Sequence, residues 1–301
     1  MAKRGDETAE GLVVGAHGRH YMVELEGGQV IHCYPRGKKS SVACGDRVKL
    51  IRTAPDQAVI DSIGPRTSLI YRSDQYREKI IAANVTQVVV VVAARPAFDE
   101  DLLIRCLVAA EQQQLGIVIA LNKADLVDET AATLDKLRIY ESLGYSVVPL
   151  SAKRDVSLLN PKLQKQLSVL VGQSGMGKST IVNALVPDAL AATGEVSEAL
   201  DSGKHTTTSA HLYHLDALSH IIDSPGMQTF GLHHLSSAEL AEGFRELRPL
   251  LGHCRFSDCR HLVEPGCAVL AAVEKGSVAQ HRWDAYRKLR EEFDNARPQW
   301  G

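Results

Sequence analysis

From Gly11 to about Pro65, hydrophobic and polar residues alternate over short runs. "GLVVGAHGRHYMVEL" and "QVIHCYP" alternate on either side of Gly27–Gly28, a turn signal, and "GDRVKLI" and "AVIDSIGP" read as further strands. Four or five short strands with no helical period predict a small closed barrel such as an OB-fold. The ten residues before them, "MAKRGDETAE", are polar and read as a disordered tail.

From about Asn84 the rhythm changes. "VTQVVVVVAA" is a continuous apolar run, the mark of a parallel strand covered on both faces. "DEDLLIRCLVAAEQQ" carries apolar residues at helical spacing, "GIVIALNKADL" is a strand ending in polar residues, and a helix over about 129–143 precedes the strand "YSVVPLSA". "SVLVGQSGMGKSTIVNAL" then reads as strand, glycine-rich loop and helix. The alternation predicts a doubly wound α/β domain continuing to about Phe230. Helical segments follow, with a Cys/His knot at 253–267 and a charged helix, "HRWDAYRKLREEFDNA". Arg282, Arg287, Lys288 and Arg290 lie there among several acids, more the pattern of a solvated face with i,i+4 pairs than of a stripe for RNA, which stays the alternative.

With 301 residues the chain has room for two or three domains, taken here as 11–66, 67–232 and 233–301 after a tail over 1–10. A formal net charge of −2 excludes a polycation, so any nucleic acid must be met by local basic patches. "PRGKKSS" (Pro35–Ser41) is one such loop, open to solvent or to an RNA phosphate. Three of the 6 cysteines crowd between Cys254 and Cys267, which suggests a metal rather than a disulfide framework. The N-terminus lacks an apolar signal core, and the longest apolar run, Val88–Ala94, is too short to cross a bilayer. The expectation is a soluble cytoplasmic protein with no membrane partner, and nothing suggests more than a monomer.

The chemistry lies in five short motifs. Gly172–Ser179, "GQSGMGKS", fits the P-loop pattern in full. Backbone N–H groups of Gly172, Gln173, Ser174, Gly175, Met176 and Gly177, with Thr180 beginning the helix, would close around phosphates. Lys178 would reach the β and γ phosphates, and the Ser179 hydroxyl would bind Mg²⁺. Base choice falls to "NKAD", Asn122, Lys123, Ala124 and Asp125, because the Asp125 carboxylate can accept both N1–H and N2–H of guanine. Asn122 would steady the loop and Lys123 could cover the ring. "SAK", Ser151, Ala152 and Lys153, ends the next strand, where the Ala152 N–H could donate to guanine O6. In "DSPG", Asp223 can hold Mg²⁺ through water and the Gly226 N–H can sense the γ-phosphate. A threonine of "GKHTTT" should complete the Mg²⁺ shell: Thr207, with Thr206 and Thr208 as alternatives.

These are the parts of a GTPase in a circularly permuted order: NKAD, SAK, P-loop, HTTT, DSPG. The break falls just after the segment that responds to the γ-phosphate, so hydrolysis is expected to reposition the C-terminal domain against the barrel. Met227 stands where a water-orienting glutamine is usual, leaving His205 as the nearest candidate catalytic group beside Lys178. In "CRFSDCRHLVEPGC", Cys254, Cys259, His261 and Cys267 supply three thiolates and an imidazole, a closed set for one structural Zn²⁺, with His253 as a substitute ligand. His211, His214, His220, His233 and His234 have no ligand spacing.

The whole arrangement resembles the ribosome small-subunit-dependent GTPases of bacteria, the RsgA or YjeQ family. The resemblance is carried by "RTSLIYRSD", "AANVTQVVVVVAARPAF", "NKADL", "GQSGMGKSTIVNAL", "GKHTTT", "DSPGMQTFGL" and "CRFSDCRHLVEPGCAV", and covers nearly the whole chain. Departures are small: Met176 replaces a more usual valine and Thr180 a common second serine. The resemblance implies an N-terminal OB-fold barrel on ribosomal RNA, a central circularly permuted P-loop GTPase domain and a C-terminal α-helical zinc-binding domain. It also implies GTP and GDP as ligands and the small (30S) subunit with its 16S rRNA as partner. Family members act late in subunit maturation near the decoding region, leave on GTP hydrolysis stimulated by the subunit, and use a histidine at the position of His205.

Overall fold

The computed structural model describes residues 8–37, 41–73, 78–187, 209–224, 232 and 235–296. The N-terminal alternation folds into five strands: β1 (Thr8–His17), β2 (His20–Leu25), β3 (Val30–Pro35), β4 (Arg47–Ala54) and β5 (Gln57–Ile63). They pair in the order β1-β2-β3-β5-β4, and β4 returns to β1, so the sheet closes on itself. The β3–β5 pairing is parallel and the rest antiparallel, giving an OB-like barrel. Val13, Val23, Ile31, Leu50 and Ile60 fill its interior. Both turn glycines have positive φ, 96° at Gly27 and 84° at Gly28, as a tight hairpin turn demands. One expectation is corrected: residues 8–10 are strand rather than tail, because their backbone pairs with β4 from Thr8↔Ile51 onward.

A hairpin that the hydrophobic pattern does not single out, β6 (Leu69–Ser73) and β7 (Glu78–Ala83), follows the barrel. The joint is tightly specified. The fully buried Asp46 carboxylate accepts Nε and Nη2 of Arg66, at 2.7 and 2.6 Å, and the Ala43 N–H at 2.8 Å. Gly45 approaches so closely that a Cβ there would lie 2.2 Å from the Ala83 carbonyl oxygen.

The central domain contains β8 (Gln87–Ala93), α1 (Glu100–Gln112), β9 (Gly116–Asn122), α2 (Val127–Ser142), β10 (Ser146–Pro149), α3 (Asn160–Leu163), β11 (Leu167–Val171), α4 (Lys178–Leu185), β12 (Ala210–His214) and β13 (His220–Asp223). Strands β10-β9-β8-β11-β13 are parallel in that order, and β12 adds antiparallel to β13. Strand β8 is buried along its whole length, as its unbroken apolar run requires. Because the strands are parallel, NKAD, SAK, the P-loop and the start of DSPG emerge at one edge of the sheet. Strand β12 also pairs antiparallel with β1 through Gly15↔His211 and Ala16↔Ala210, so barrel and core share a single sheet of 11 strands.

The C-terminal domain is helical: α5 (Ser237–Glu242), α6 (Ala268–Glu274) and α7 (Gln280–Ala296). It sits on α1 and α2. Arg245 and Arg248 both reach the Glu111 carboxylate, and the Arg245 guanidinium lies 3.9 Å from the Tyr145 ring centroid. The solvated reading of α7 holds for Arg287, which pairs with Asp284 (i,i+3). Lys288 is exposed as well, though its partner is Asp101 on α1, and Arg282 overturns the expectation outright. Its side chain is 1% exposed, its Nε donates to Glu246 Oε1 at 2.6 Å, and it packs between the rings of Tyr140 and Phe244. A guanidinium can be buried there because it finds a carboxylate and two π faces together.

Candidate functional site

The phosphate-binding loop is shaped by glycines where no other residue fits. Gly172 has φ 144° and Gly177 φ 92°, and a Cβ on either would lie 2.3 Å from a neighbour: the Val91 carbonyl oxygen and Asn122 Nδ2 respectively. Gly177 leads into α4, directing its first N–H groups toward the loop. Lys178 is buried, and its ammonium donates to the carbonyls of Gly172 and Gln173 at 2.8 and 2.9 Å. Burial pulls its pKa below the ordinary lysine value, against the opposing charge of Asp223. Met176 is buried beneath the loop, while Ser174 and Thr180 are exposed.

Asn122 is the hub between loops. Its Nδ2 donates to the Met176 carbonyl at 2.9 Å, and its Oδ1 accepts the N–H groups of Lys123 at 2.8 Å and Ala152 at 2.9 Å. Asn122 thus bonds both the P-loop and the Ser151–Lys153 loop, and the Ala152 N–H is engaged there. Lys123 reaches across the site, with Nζ donating to the carbonyls of Arg95 and Gly175 at 2.8 and 2.9 Å. Asp125 accepts the Ser151 hydroxyl at 2.6 Å, which, with its own backbone N–H, holds its carboxyl below the usual range. The Ala124 N–H donates to the Leu150 carbonyl at 3.0 Å, closing the same pair of loops, and Lys153 is exposed.

Asp223 ends β13 beside the P-loop strand. It is 3% exposed, and burial raises its pKa, opposed by the Ser179 hydroxyl and Lys178. Ser179 Oγ donates to Asp223 Oδ2 at 3.1 Å, while Oδ1 is buried without a hydrogen-bond partner. A buried carboxylate oxygen short of a partner, next to a hydroxyl, is a hard oxygen set that fits Mg²⁺. His205, Thr206, Thr207, Thr208, Gly226, Met227, His233 and His234 lie outside the described residues, as do Lys38 and Lys39.

Cys254, Cys259, His261 and Cys267 converge, their ligand atoms all within 4.8 Å of one another. The Cys254–Cys267 sulfur separation is 3.9 Å, and His261 Nδ1 lies 3.4 and 3.5 Å from those two sulfurs. Tetrahedral Zn²⁺ with its usual bond lengths needs about 3.8 Å between sulfurs and about 3.5 Å between sulfur and nitrogen. The donor set and its spacing fit zinc, and His253 stands outside the cluster, on the surface. The Ala268 N–H points at Cys254 Sγ, 3.4 Å away, and the Glu264 carboxylate organises the turn. Burial opposes its ionisation, but backbone N–H groups including those of Leu262, Val263 and Arg260 outweigh that and hold its pKa at about 2.

Sequence reasoning missed three features. Ser151 orients Asp125. Gln173 Oε1 accepts the Asp99 N–H at 3.0 Å, so the P-loop holds the start of α1. His214 and His220 face each other with their Nδ1 atoms 2.8 Å apart, and His214 Nε2 lies 2.9 Å from Glu24 Oε2 of the barrel.

Comparison with known proteins is consistent throughout. The family model described as RsgA GTPase matches residues 63–233. A relative named small ribosomal subunit biogenesis GTPase RsgA, from Nitrosospira multiformis, is 55% identical over 279 residues, covering 93% of this chain and 89% of its own. Its namesake from Nitrosomonas europaea is 51% identical over 290 residues, covering 95% and 92%. Among solved structures, YjeQ from Thermotoga maritima superposes with TM-score 0.72 at 30% identity, covering 95% of this chain and 99% of its own. YloQ, described as a circularly permuted GTPase, gives 0.70 at 28% identity and covers 100% of both.

Proposed function

Since the chain belongs to the RsgA GTPase family, and is by that membership a GTP hydrolase, we propose that it serves late assembly of the small (30S) ribosomal subunit. On this reading it acts in the cytoplasm as a monomer, contacts 16S rRNA near the decoding region through its barrel, and leaves when the subunit stimulates hydrolysis. The observation that carries the reading is the shared sheet. Barrel strand β1 pairs with Ala210 and His211, three and four residues after Thr207 in sequence. A threonine drawn toward the γ-phosphate would pull on the strand that holds the barrel.

The residues then take these roles. Asp125 reads guanine, oriented by Ser151, and Asn122 locks the base loop to the P-loop. Lys178 leaves the Gly172 and Gln173 carbonyls to hold the β and γ phosphates. Ser179, Asp223 and Thr207 would hold Mg²⁺, which neutralises the charge developing on the phosphates. The Gly226 N–H senses the γ-phosphate. His205 orients the water that attacks it, so that GTP and water give GDP and inorganic phosphate. Cys254, Cys259, His261 and Cys267 hold one structural Zn²⁺.

The test is GTP hydrolysis with and without purified small subunits, with ATP as control. Strong stimulation by the small subunit alone is expected. Binding that depends on GTP with no acceleration would replace the release clock by a GTP-gated RNA binder.

A further inference from the structure

Helix α1 joins two parts of the molecule that lie far apart in sequence. At its start, Asp99 caps the helix by accepting the Leu102 N–H on Oδ1 at 3.3 Å, and the Asp99 N–H donates to Gln173 Oε1 at 3.0 Å. Further along, Asp101 pairs with Lys288, Arg105 with Glu292, and Glu111 with Arg245 and Arg248. One end of α1 is thus held by the P-loop, and its length is the seat of the C-terminal domain.

The P-loop pattern leaves the position of Gln173 open, because phosphates are met there by backbone N–H groups. Its amide is half-buried and turned outward to α1, while its carbonyl accepts the Lys178 ammonium at 2.9 Å. The same residue therefore touches the lysine that holds phosphate and the cap of the helix that carries the C-terminal domain. A helix with an intact hydrogen-bond ladder shifts as one piece, so a change in how the domain sits on α1 displaces Asp99 and loads Gln173.

We propose that Gln173 is a positioning residue through which the seating of the C-terminal domain on α1 sets the geometry of the phosphate-binding loop. The inference needs only the GTPase activity, so its outcome is independent of whether the small subunit is the partner.

A double-mutant cycle on the full chain tests it, reading KM and kcat for intrinsic GTP hydrolysis. The seat is loosened by Arg245→Ala, and separately by Lys288→Ala, whose solvent-facing pair with Asp101 contributes little to folding. The loop contact is removed by Gln173→Leu, or kept as an acceptor in Gln173→Glu. Loosening the seat is expected to change KM for GTP about threefold or more with Gln173 present, and not at all in the Gln173→Leu background. Gln173→Glu should retain the coupling. Independent effects of the two sites, silence of both seat variants, or loss of coupling in Gln173→Glu as well as Gln173→Leu would overturn the proposal.

Discussion

The Ser151 hydroxyl donates to Asp125 Oδ1 at 2.6 Å, so the residue that opens one loop aims the carboxylate that ends the motif of another. The bond leaves Oδ2 of Asp125 unencumbered by Ser151 and fixes the plane of the carboxylate. Replacing Ser151 with Ala should raise the Kd for GTP about three- to tenfold, the range of a bond to a charged group in a partly exposed site. Titration with a fluorescent guanine nucleotide reads this directly. Asp125→Asn should move preference toward xanthine nucleotides, and retained GTP preference would remove Asp125 from base recognition.

Gly177 and Gly175 make a controlled pair. Both have positive φ, 92° and 82°, so alanine at either meets a similar backbone cost of roughly 1–2 kcal/mol. Only at Gly177 would the new Cβ collide, 2.3 Å from Asn122 Nδ2, whereas around Gly175 the space is open. Gly177→Ala should therefore break the Asn122–Met176 bond and weaken GTP binding well beyond Gly175→Ala. Equal losses in the two variants would mean that the contact with Asn122 is not the constraint.

Arg282 and Glu246 are 1% and 6% exposed, and each has a further buried polar atom, Nη1 and Oε2, without a partner. Removing one member strands the other. Arg282→Ala should cost about 3–5 kcal/mol in urea unfolding, while Arg282→Met combined with Glu246→Leu should recover most of that. A double variant as unstable as the single one would show that the stability lies in the packing around Tyr140 and Phe244.

What was legible in the sequence was local. The P-loop and NKAD place their chemistry within a few consecutive residues, and parallel strands brought them to one edge as the apolar runs implied. The contacts the pattern does not reveal join residues far apart: Gln173 to Asp99 and Ser151 to Asp125 around the site, and Arg282 to Glu246 in the C-terminal domain. Periodicity cannot show such pairs. The charge pattern of α7 reads as a solvated face because burial of Arg282 depends on rings from α2 and from Phe244. The hairpin β6–β7 escaped notice because its strands are short and form a two-stranded sheet separate from the larger one.

The histidines at the barrel boundary predict a pH dependence of stability. Burial, then the neighbouring His214, lowers the pKa of His220, with Asp216 and Glu24 opposing; burial, then His17, lowers that of His211. A depressed histidine pKa means that the unfolded chain binds more protons as pH falls through the ordinary value of about 6.5. The contribution is thus present above that pH and is lost as pH falls toward the lowered folded-state values. The Nδ1–Nδ1 contact of His214 and His220 needs one nitrogen unprotonated, so charging both rings breaks it. The melting temperature should fall between pH 7.5 and 5.5, and less steeply in His220→Gln. An identical slope in that variant would assign the effect elsewhere.

Zinc removal should be felt first by α7. The Trp283 indole donates to the His261 carbonyl at 2.9 Å and the Tyr286 hydroxyl to the Arg260 carbonyl at 3.0 Å, so the backbone of the metal knot is itself the docking surface of that helix. Zn²⁺ bonded to three thiolates and the imidazole would fix that spacing, whereas without the ion the sulfurs either repel as thiolates or take up protons and keep only weak S–H contacts. A strong chelator, or Cys259→Ser, should therefore lower bound zinc below one per chain, shift Trp283 emission to longer wavelength and open the segment beyond Leu251 to proteolysis. Since α7 also carries Lys288 and Glu292, its release should break their ion pairs with Asp101 and Arg105 of α1 together with the metal. Zinc lost with Trp283 emission and proteolysis unchanged would show that α7 is held by Arg282 and the apolar contacts alone.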